Sequence, residues 1–156
     1  MPRVAYNDAA LTIWTGGDSL KLIEGLSTNK MTDLAKGEVR QTIFTTTSAK
    51  IIDIATVYHM GDFLAVQTHK SCLEQLLSQV LPKILDQDVN IRDVTDMNSF
   101  LIEYQLEYEN VGHFTSNSGT TQAFIAHGLS FIVSTLDVVH QIDGSVEEFN
   151  EWRIQN

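Results

Sequence analysis

The chain has 156 residues, of which 43% are hydrophobic and two are proline, and this composition predicts one folded domain, 1–156, rather than a disordered segment. No stretch approaches the roughly 20 apolar residues of a membrane span, and the N-terminus lacks a secretory apolar run, so we expect a cytoplasmic protein without a membrane partner. The formal net charge is −10, and residues 93–156 carry ten acidic side chains against one basic, which disfavours nucleic-acid binding.

The first half of the chain predicts a helix followed by three strands. Apolar residues recur at helical spacing over residues 20–26, and the polar residues 27–29 follow at the helix exit. β-branched and aromatic residues over 39–58 predict a hairpin whose turn lies near residues 48–50. Residues 63–67 predict the third strand.

The second half predicts the longest helix, over residues 69–85. Cys72 is expected on its buried face as a core thiol. Pro82 is expected to end or kink the helix. Three further strands and two short helices follow at residues 89–94, 100–108, 124–134, 136–141 and 146–152. The connections between successive strands are too short for parallel crossovers. We therefore predict an α+β fold, one mainly antiparallel sheet with helices on one face.

Metal and nucleotide motifs are missing from the sequence. It contains no glycine-rich phosphate loop and no Cys-x-x-Cys or His-Glu-x-x-His pattern, and no two of its five histidines stand four residues apart. We therefore expect no metal.

Two segments carry a resemblance to a known family. Residues 25–58 combine the helix exit LSTN, a Lys36-Gly37 turn and a hairpin that ends IIDIATVY, and residues 148–156 read EFNEWRIQN. The first segment resembles the N-terminal folate-binding region of the glycine-cleavage T-protein (aminomethyltransferase) family, and the second is similar to the segment that closes this core. The resemblance implies a folate-binding domain of one-carbon metabolism without the C-terminal barrel, with tetrahydrofolate or a related folate as ligand.

The resemblance also implies three cofactor-binding residues. The family's pterin-contacting asparagine aligns with Gln67, the arginine near its folate aligns with Arg153, and Tyr58 can stack or form a hydrogen bond. Tyr58 could equally be a core aromatic, and Arg153 a cation at a helix C-terminus. The same segment contains four cationic residues, Lys30, Lys36, Arg40 and Lys50. They could form a solvated surface or a binding site for the anionic tail of a folate.

The family's catalytic position is occupied by an apolar residue. The family pattern D-D-x-x-x-Y places its second aspartate against the pterin, whereas this chain keeps Asp53 at the first position and has Ile54 at the second. We therefore predict no catalytic residue. Because adjacent strand residues point to opposite faces, only a one-residue bulge or a register slip would bring Asp53 into that role.

Three functions remain open at this point. The first is a minimal, non-catalytic folate-binding module, and the second is an interaction subunit similar to the small folate-fold subunit of sarcosine oxidases. The third is an active tetrahydrofolate-dependent aminomethyltransferase, with a base supplied by Asp53, Asp62 or a carboxylate of the acidic half. Phe149, Trp152 and Ile154 lie where the family has a neighbouring domain, which predicts a homodimer or a partner protein unless the last helix buries them.

Overall fold

The computed structural model describes residues 2–106, 110–138, 142 and 144–155. It divides into two compact units, a central unit of Asp8–Thr95 and a terminal unit formed by Met1–Asn7 with Asp96–Asn156. The single domain expected from the sequence stays a prediction. No helix in the described ranges is long and apolar enough to cross a membrane.

Strands outnumber helices along the chain. In order, the elements are β1 (Arg3–Ala5), β2 (Ala9–Thr15), α1 (Ser19–Leu26), β3 (Val39–Thr45), β4 (Ile51–His59), β5 (Leu64–His69), α2 (Lys70–Val80), a 3-10 turn (Leu81–Lys83), β6 (Asn90–Asp93), a second 3-10 turn (Thr95–Met97), β7 (Asn98–Tyr104), β8 (Phe114–Asn117), β9 (Thr120–Ala126), β10 (Leu129–Thr135) and α3 (Val146–Gln155).

The strands form two five-stranded sheets, one in each unit. The central sheet has the order β3-β4-β5-β2-β6 and the terminal sheet the order β1-β7-β10-β9-β8. Every strand pair in both sheets is antiparallel. The predicted α+β class with antiparallel pairing is confirmed, and the structure has two sheets where the sequence predicted one.

In the central unit, α1 and α2 pack on one face of the sheet. The apolar periodicity of α2 predicts that Leu73, Leu76, Leu77 and Val80 are buried. Leu73, Leu76 and Val80 are buried, and Leu77 is half-buried. The helix ends at Val80, and Pro82 lies in the 3-10 turn that follows. The two helices and the sheet bury a common core that includes Trp14, Ile23, Phe44, Ala55, Val57, Val66 and Leu76.

Cys72 is half-buried on α2 and forms no disulfide. The thiol therefore lies at the margin of the helix–sheet core rather than within it, and the prediction of a core thiol overstated its burial. The helical repeat explains the difference, because the fully buried stripe of α2 begins one residue later, at Leu73.

In the terminal unit, α3 packs its aromatic residues against the sheet. Phe149 is buried and Trp152 half-buried, and their rings lie 5.4 Å from the ring of Tyr104. The last helix thus folds back on its own unit, while Ile154 remains 86% exposed. The homodimer or partner protein stays a prediction.

Several predicted elements differ in extent from the observed ones. The apolar run 124–134 is a hairpin of β9 and β10 that turns at Gly128, whose φ of 74° is in the left-handed region. The helix predicted over 136–141, and the end of the strand predicted over 100–108, fall partly outside the described residues. Strands β1 and β2 are not predicted by the sequence pattern.

Candidate functional site

The predicted folate residues of the central unit lie on the sheet face opposite the helices. Ala55 and Val57 of β4 point into the helix-covered core. Ile54, Thr56 and Tyr58 alternate with them and therefore occupy the other face of the strand. Thr56 and Tyr58 are buried, whereas Ile54 is 48% exposed.

Tyr58 and Gln67 form a buried hydrogen-bonded pair on this face. The Tyr58 hydroxyl donates to Oε1 of Gln67 at 2.6 Å, and Gln67 is only 3% exposed. Gln67 belongs to β5 and stands directly opposite Thr56, whose hydroxyl accepts a bond of 3.1 Å from the Gln41 amide. The amide nitrogen of Gln67 has no partner in the described part of the chain, so it can donate to a ligand.

Strand β4 contains an extra residue just before Asp53. Thr45 of β3 pairs with Ile51, but the next residue, Phe44, pairs with Asp53, so Ile52 is bulged. Beyond the bulge the register is regular, and Asp53 shares the helix-covered face with Ala55. The bulge therefore leaves Asp53 and Ile54 on opposite faces of the sheet.

The Asp53 carboxylate is engaged at the start of α2. It is 6% exposed and accepts hydrogen bonds from the backbone N–H and the ring Nδ1 of His69, at 2.8 and 2.7 Å. It also accepts a bond of 2.8 Å from the backbone N–H of Ile54. These contacts tie β4 to the N-terminus of α2, which is a structural role.

Arg153 is an exposed residue of α3 in the terminal unit. Its guanidinium lies over the ring of Phe149, 5.3 Å from the ring centre. This cation–π contact anchors the side chain on its own helix. Tyr58 and Gln67 belong to the central unit, so the sequence prediction of one cofactor-binding set is divided between the two units.

The helix exit that carries the resemblance is held to β3 by side-chain hydrogen bonds. Ser27 Oγ donates to the carbonyl of Ile23 at 2.7 Å and accepts from the Thr42 hydroxyl at 2.7 Å. The Asn29 backbone N–H donates to Thr42 Oγ1 at 3.0 Å. Ser27 and Asn29 of this motif therefore fix the chain between α1 and β3, and both bond to Thr42.

Two acidic side chains near this exit have lowered pKa values. The Arg40 guanidinium donates to Asp33 at 2.6 Å and holds the pKa of that carboxyl below its usual value. The backbone N–H groups of Met31 and Thr32 donate to Glu24 and lower its pKa in the same way. Arg40 therefore belongs to a solvated ion pair, in line with the structural interpretation of the cationic cluster.

A buried carboxylate in the terminal unit was missed by the sequence interpretation. Glu103 of β7 is 7% exposed, and its Oε2 accepts from Arg3 Nε at 2.5 Å. The Gln122 amide donates both to Glu103 Oε1, at 3.1 Å, and to Ser130 Oγ, at 2.9 Å. The sequence feature that could have indicated Glu103 is its position as the one acidic residue in the apolar run FLIEY.

The described residues contain no group of three acidic, histidine or cysteine side chains that could hold a metal ion.

Comparison with known proteins identifies the fold. No family model matches the sequence, and no curated protein does. Among solved structures, the chain is similar to the crystal structure of the glycine cleavage system aminomethyltransferase T from Bartonella henselae, with a TM-score of 0.70 and 7% sequence identity. The match covers 86% of this chain and 41% of that chain. The fold is that of an aminomethyltransferase-like domain.

The likeness confirms one part of the sequence-based resemblance. At 7% identity it concerns the fold alone, and the chain spans less than half the length of the solved relative. The predicted fold of the aminomethyltransferases is therefore confirmed. The predicted site residues Tyr58, Gln67 and Arg153 stay predictions, as does the cytoplasmic location.

Proposed function

We propose that this chain is a folate-binding module without catalytic activity, acting in one-carbon metabolism. The observation that carries the proposal is the buried Tyr58–Gln67 pair beside Ile54 on one face of β4 and β5. The aminomethyltransferase-like fold supports it. Tetrahydrofolate or a related folate is the proposed ligand.

The chemistry of this face suits recognition of a pterin ring. A pterin is flat and presents hydrogen-bond donors and acceptors along one edge, which a carboxamide can match. Oε1 of Gln67 is already bonded to Tyr58, so its amide group has two N–H donors to offer. The Tyr58 ring adds an aromatic wall. Arg153 belongs to the terminal unit, and the sequence resemblance alone names it as a folate contact.

The absence of a carboxylate from these side chains argues against catalysis. Ile54, Thr56, Tyr58 and Gln67 supply neutral groups, and an isoleucine can neither transfer a proton nor stabilise a developing cation. Asp53, the aspartate of β4, is bonded to His69 on the opposite face. Binding without turnover is the function that fits this arrangement.

The first test is a calorimetric titration with 5-formyltetrahydrofolate. We expect saturable binding to the unmodified protein and a loss of about fivefold in affinity for Gln67→Leu, since one hydrogen bond is worth about 1 kcal/mol. The matched control is Gln75→Leu, an exposed glutamine on α2. Thermal unfolding of both variants would establish that the proteins compared are folded.

Two results would contradict this proposal. One is the absence of any binding heat at high micromolar folate. The other is the same folate affinity for Gln67→Leu as for the Gln75→Leu control. Absence of binding together with co-purification of a stable protein partner would favour the alternative function, an interaction subunit.

The second test is an assay of tetrahydrofolate-dependent aminomethyl transfer. We expect no turnover above the rate without protein, because Ile54 occupies the position of the family's catalytic carboxylate. Turnover that Asp53→Asn or Glu103→Gln abolishes would instead establish an active enzyme. Both variants are needed, because Asp53 and Glu103 are the buried carboxylates of the described residues.

A further inference from the structure

A concave site lies on the helix-covered side of the central unit. It is a half-open pocket of about 240 Å³ between the end of α1, the end of β3 and the last turns of α2. Its wall is apolar and is formed by Leu26, Phe44, Ile52, Leu76 and Val80. The volume is slightly below that of typical ligand pockets, so it suits a small molecule.

An exposed glycine of α1 lies at the edge of this pocket. Gly25 lies within the helix and lines the pocket, and a Cβ built on it would meet no atom within 4 Å. Its φ is not positive, so neither backbone geometry nor close packing requires glycine here. Glycine inside a helix is less stable than alanine. Glycine at position 25 therefore makes α1 less stable than alanine would, and it leaves the space beside the helix unfilled.

The polar rim of the pocket has unused hydrogen-bonding capacity. Thr45 and Gln79 are half-buried and line the pocket, and neither side chain has a hydrogen-bond partner in the described ranges. Thr46, Thr47 and Lys83 also line the pocket, and the Lys83 ammonium forms no ion pair with any described residue. None of the acidic residues that the structure describes lines the pocket, although the chain has 20 acidic side chains.

We propose that this pocket binds a small organic acid, a short apolar body that ends in a carboxylate. The apolar body would contact Phe44, Ile52 and Leu76, and the carboxylate would accept hydrogen bonds from Lys83 and Gln79. Charge complementarity supports an anion, because the one charged residue among the described residues of the lining is a lysine, in a protein of net charge −10. The site is separate from the Tyr58–Gln67 pair, which lies on the other face of the sheet.

The test uses octanoate and 1-octanol as probes in calorimetric titrations of the whole chain. We expect saturable binding of octanoate, and an affinity that falls about fourfold for each methylene removed from the acid. Octanol should bind more weakly than octanoate. Lys83→Gln should weaken octanoate binding about two- to fivefold and leave octanol binding unchanged. The matched control is Lys21→Gln, an exposed lysine of α1.

Gly25→Leu is the variant that occupies the pocket. It should abolish binding of both probes and raise the midpoint of thermal unfolding, because leucine is the better helix former. Gly25→Ala should raise the midpoint as well and reduce probe affinity less. This pair separates loss of the pocket from loss of the fold.

Three results would overturn the proposal. One is no saturable octanoate binding to the unmodified protein, and another is octanoate binding that Gly25→Leu leaves intact. The third is equal affinity for octanoate and octanol, which would leave an apolar groove without carboxylate recognition. A second copy of the chain could also occupy the pocket, and light scattering tests this alternative. Self-association that Gly25→Leu abolishes would assign the pocket to a second copy and also overturn the proposal.

Discussion

Replacing Asp53 by alanine is expected to lower the free energy of unfolding by about 3 kcal/mol. The carboxylate is 6% exposed and accepts hydrogen bonds from the backbone N–H and ring of His69 and from the backbone N–H of Ile54. Without it, buried donors at the junction of β4 and α2 lose their partner. A urea unfolding curve followed by circular dichroism measures the change.

Two further variants serve as controls for the loss of unfolding free energy in Asp53→Ala. Asp62→Ala removes an exposed aspartate of the next turn and should change the free energy of unfolding by less than about 0.5 kcal/mol. Asp53→Asn keeps the shape of the side chain and should be intermediate. An Asp53→Ala protein as stable as Asp62→Ala would show that the contacts with His69 contribute nothing, and would leave Asp53 without a structural explanation.

The structural role of Asp53 bears directly on the proposed function. In the family pattern two adjacent aspartates stand on β4, and adjacent residues of a strand face opposite ways. This chain keeps the one on the helix-covered face, where it bonds to His69. The other position holds Ile54. Asp53 thus stabilises the fold, and the sequence resemblance assigns the family's catalytic position to Ile54.

Local pattern was sufficient to predict the elements with strong periodicity. The spacing of Leu73, Leu76 and Val80 predicted the buried face of α2. The β-branched residues of segment 51–58 predicted β4. The hairpin turn near residues 48–50 is also observed, with Ala49 at a φ of 65°. These features depend on near neighbours in the chain, which a sequence displays directly.

Long-range pairing was beyond the reach of the sequence pattern. Strand β2 was missed because five of its first six residues are buried, so AALTIWT shows no alternation of polar and apolar residues. Strand β1 has three residues and pairs with β7, about 100 residues away. The division of the strands into two sheets follows from such pairings, and no local signal records it.

The candidate site was predictable only in part, for the same reason. Tyr58 and Gln67 were named through the family resemblance, and they lie on neighbouring strands of one hairpin, where they form a hydrogen bond. The network around Glu103 joins Arg3 of β1 to Gln122 of β9, which are far apart in the chain. A single acidic residue in an apolar strand indicates a partner, but the sequence does not say which residue it is.

The last prediction concerns that network. Glu103→Ala is expected to lower the free energy of unfolding by about 2 kcal/mol. The carboxylate is buried between Arg3 and Gln122, so its removal leaves the guanidinium without its ion-pair partner and the amide with one acceptor fewer. The loss is smaller than for a fully buried pair, because the Arg3 side chain is 34% exposed and retains contact with water.

A double-mutant cycle with Arg3→Ala isolates the ion pair from the rest of the network. We expect a coupling energy of about 1 kcal/mol between Arg3 and Glu103, measured by urea unfolding of the two single variants and the double variant. Glu151→Ala, an exposed acidic residue of α3, is the control and should have little effect. Zero coupling, or a Glu103→Ala protein as stable as the control, would mean that the buried carboxylate is not held for stability. Glu103 would then be the first residue to examine for a role in binding or proton transfer.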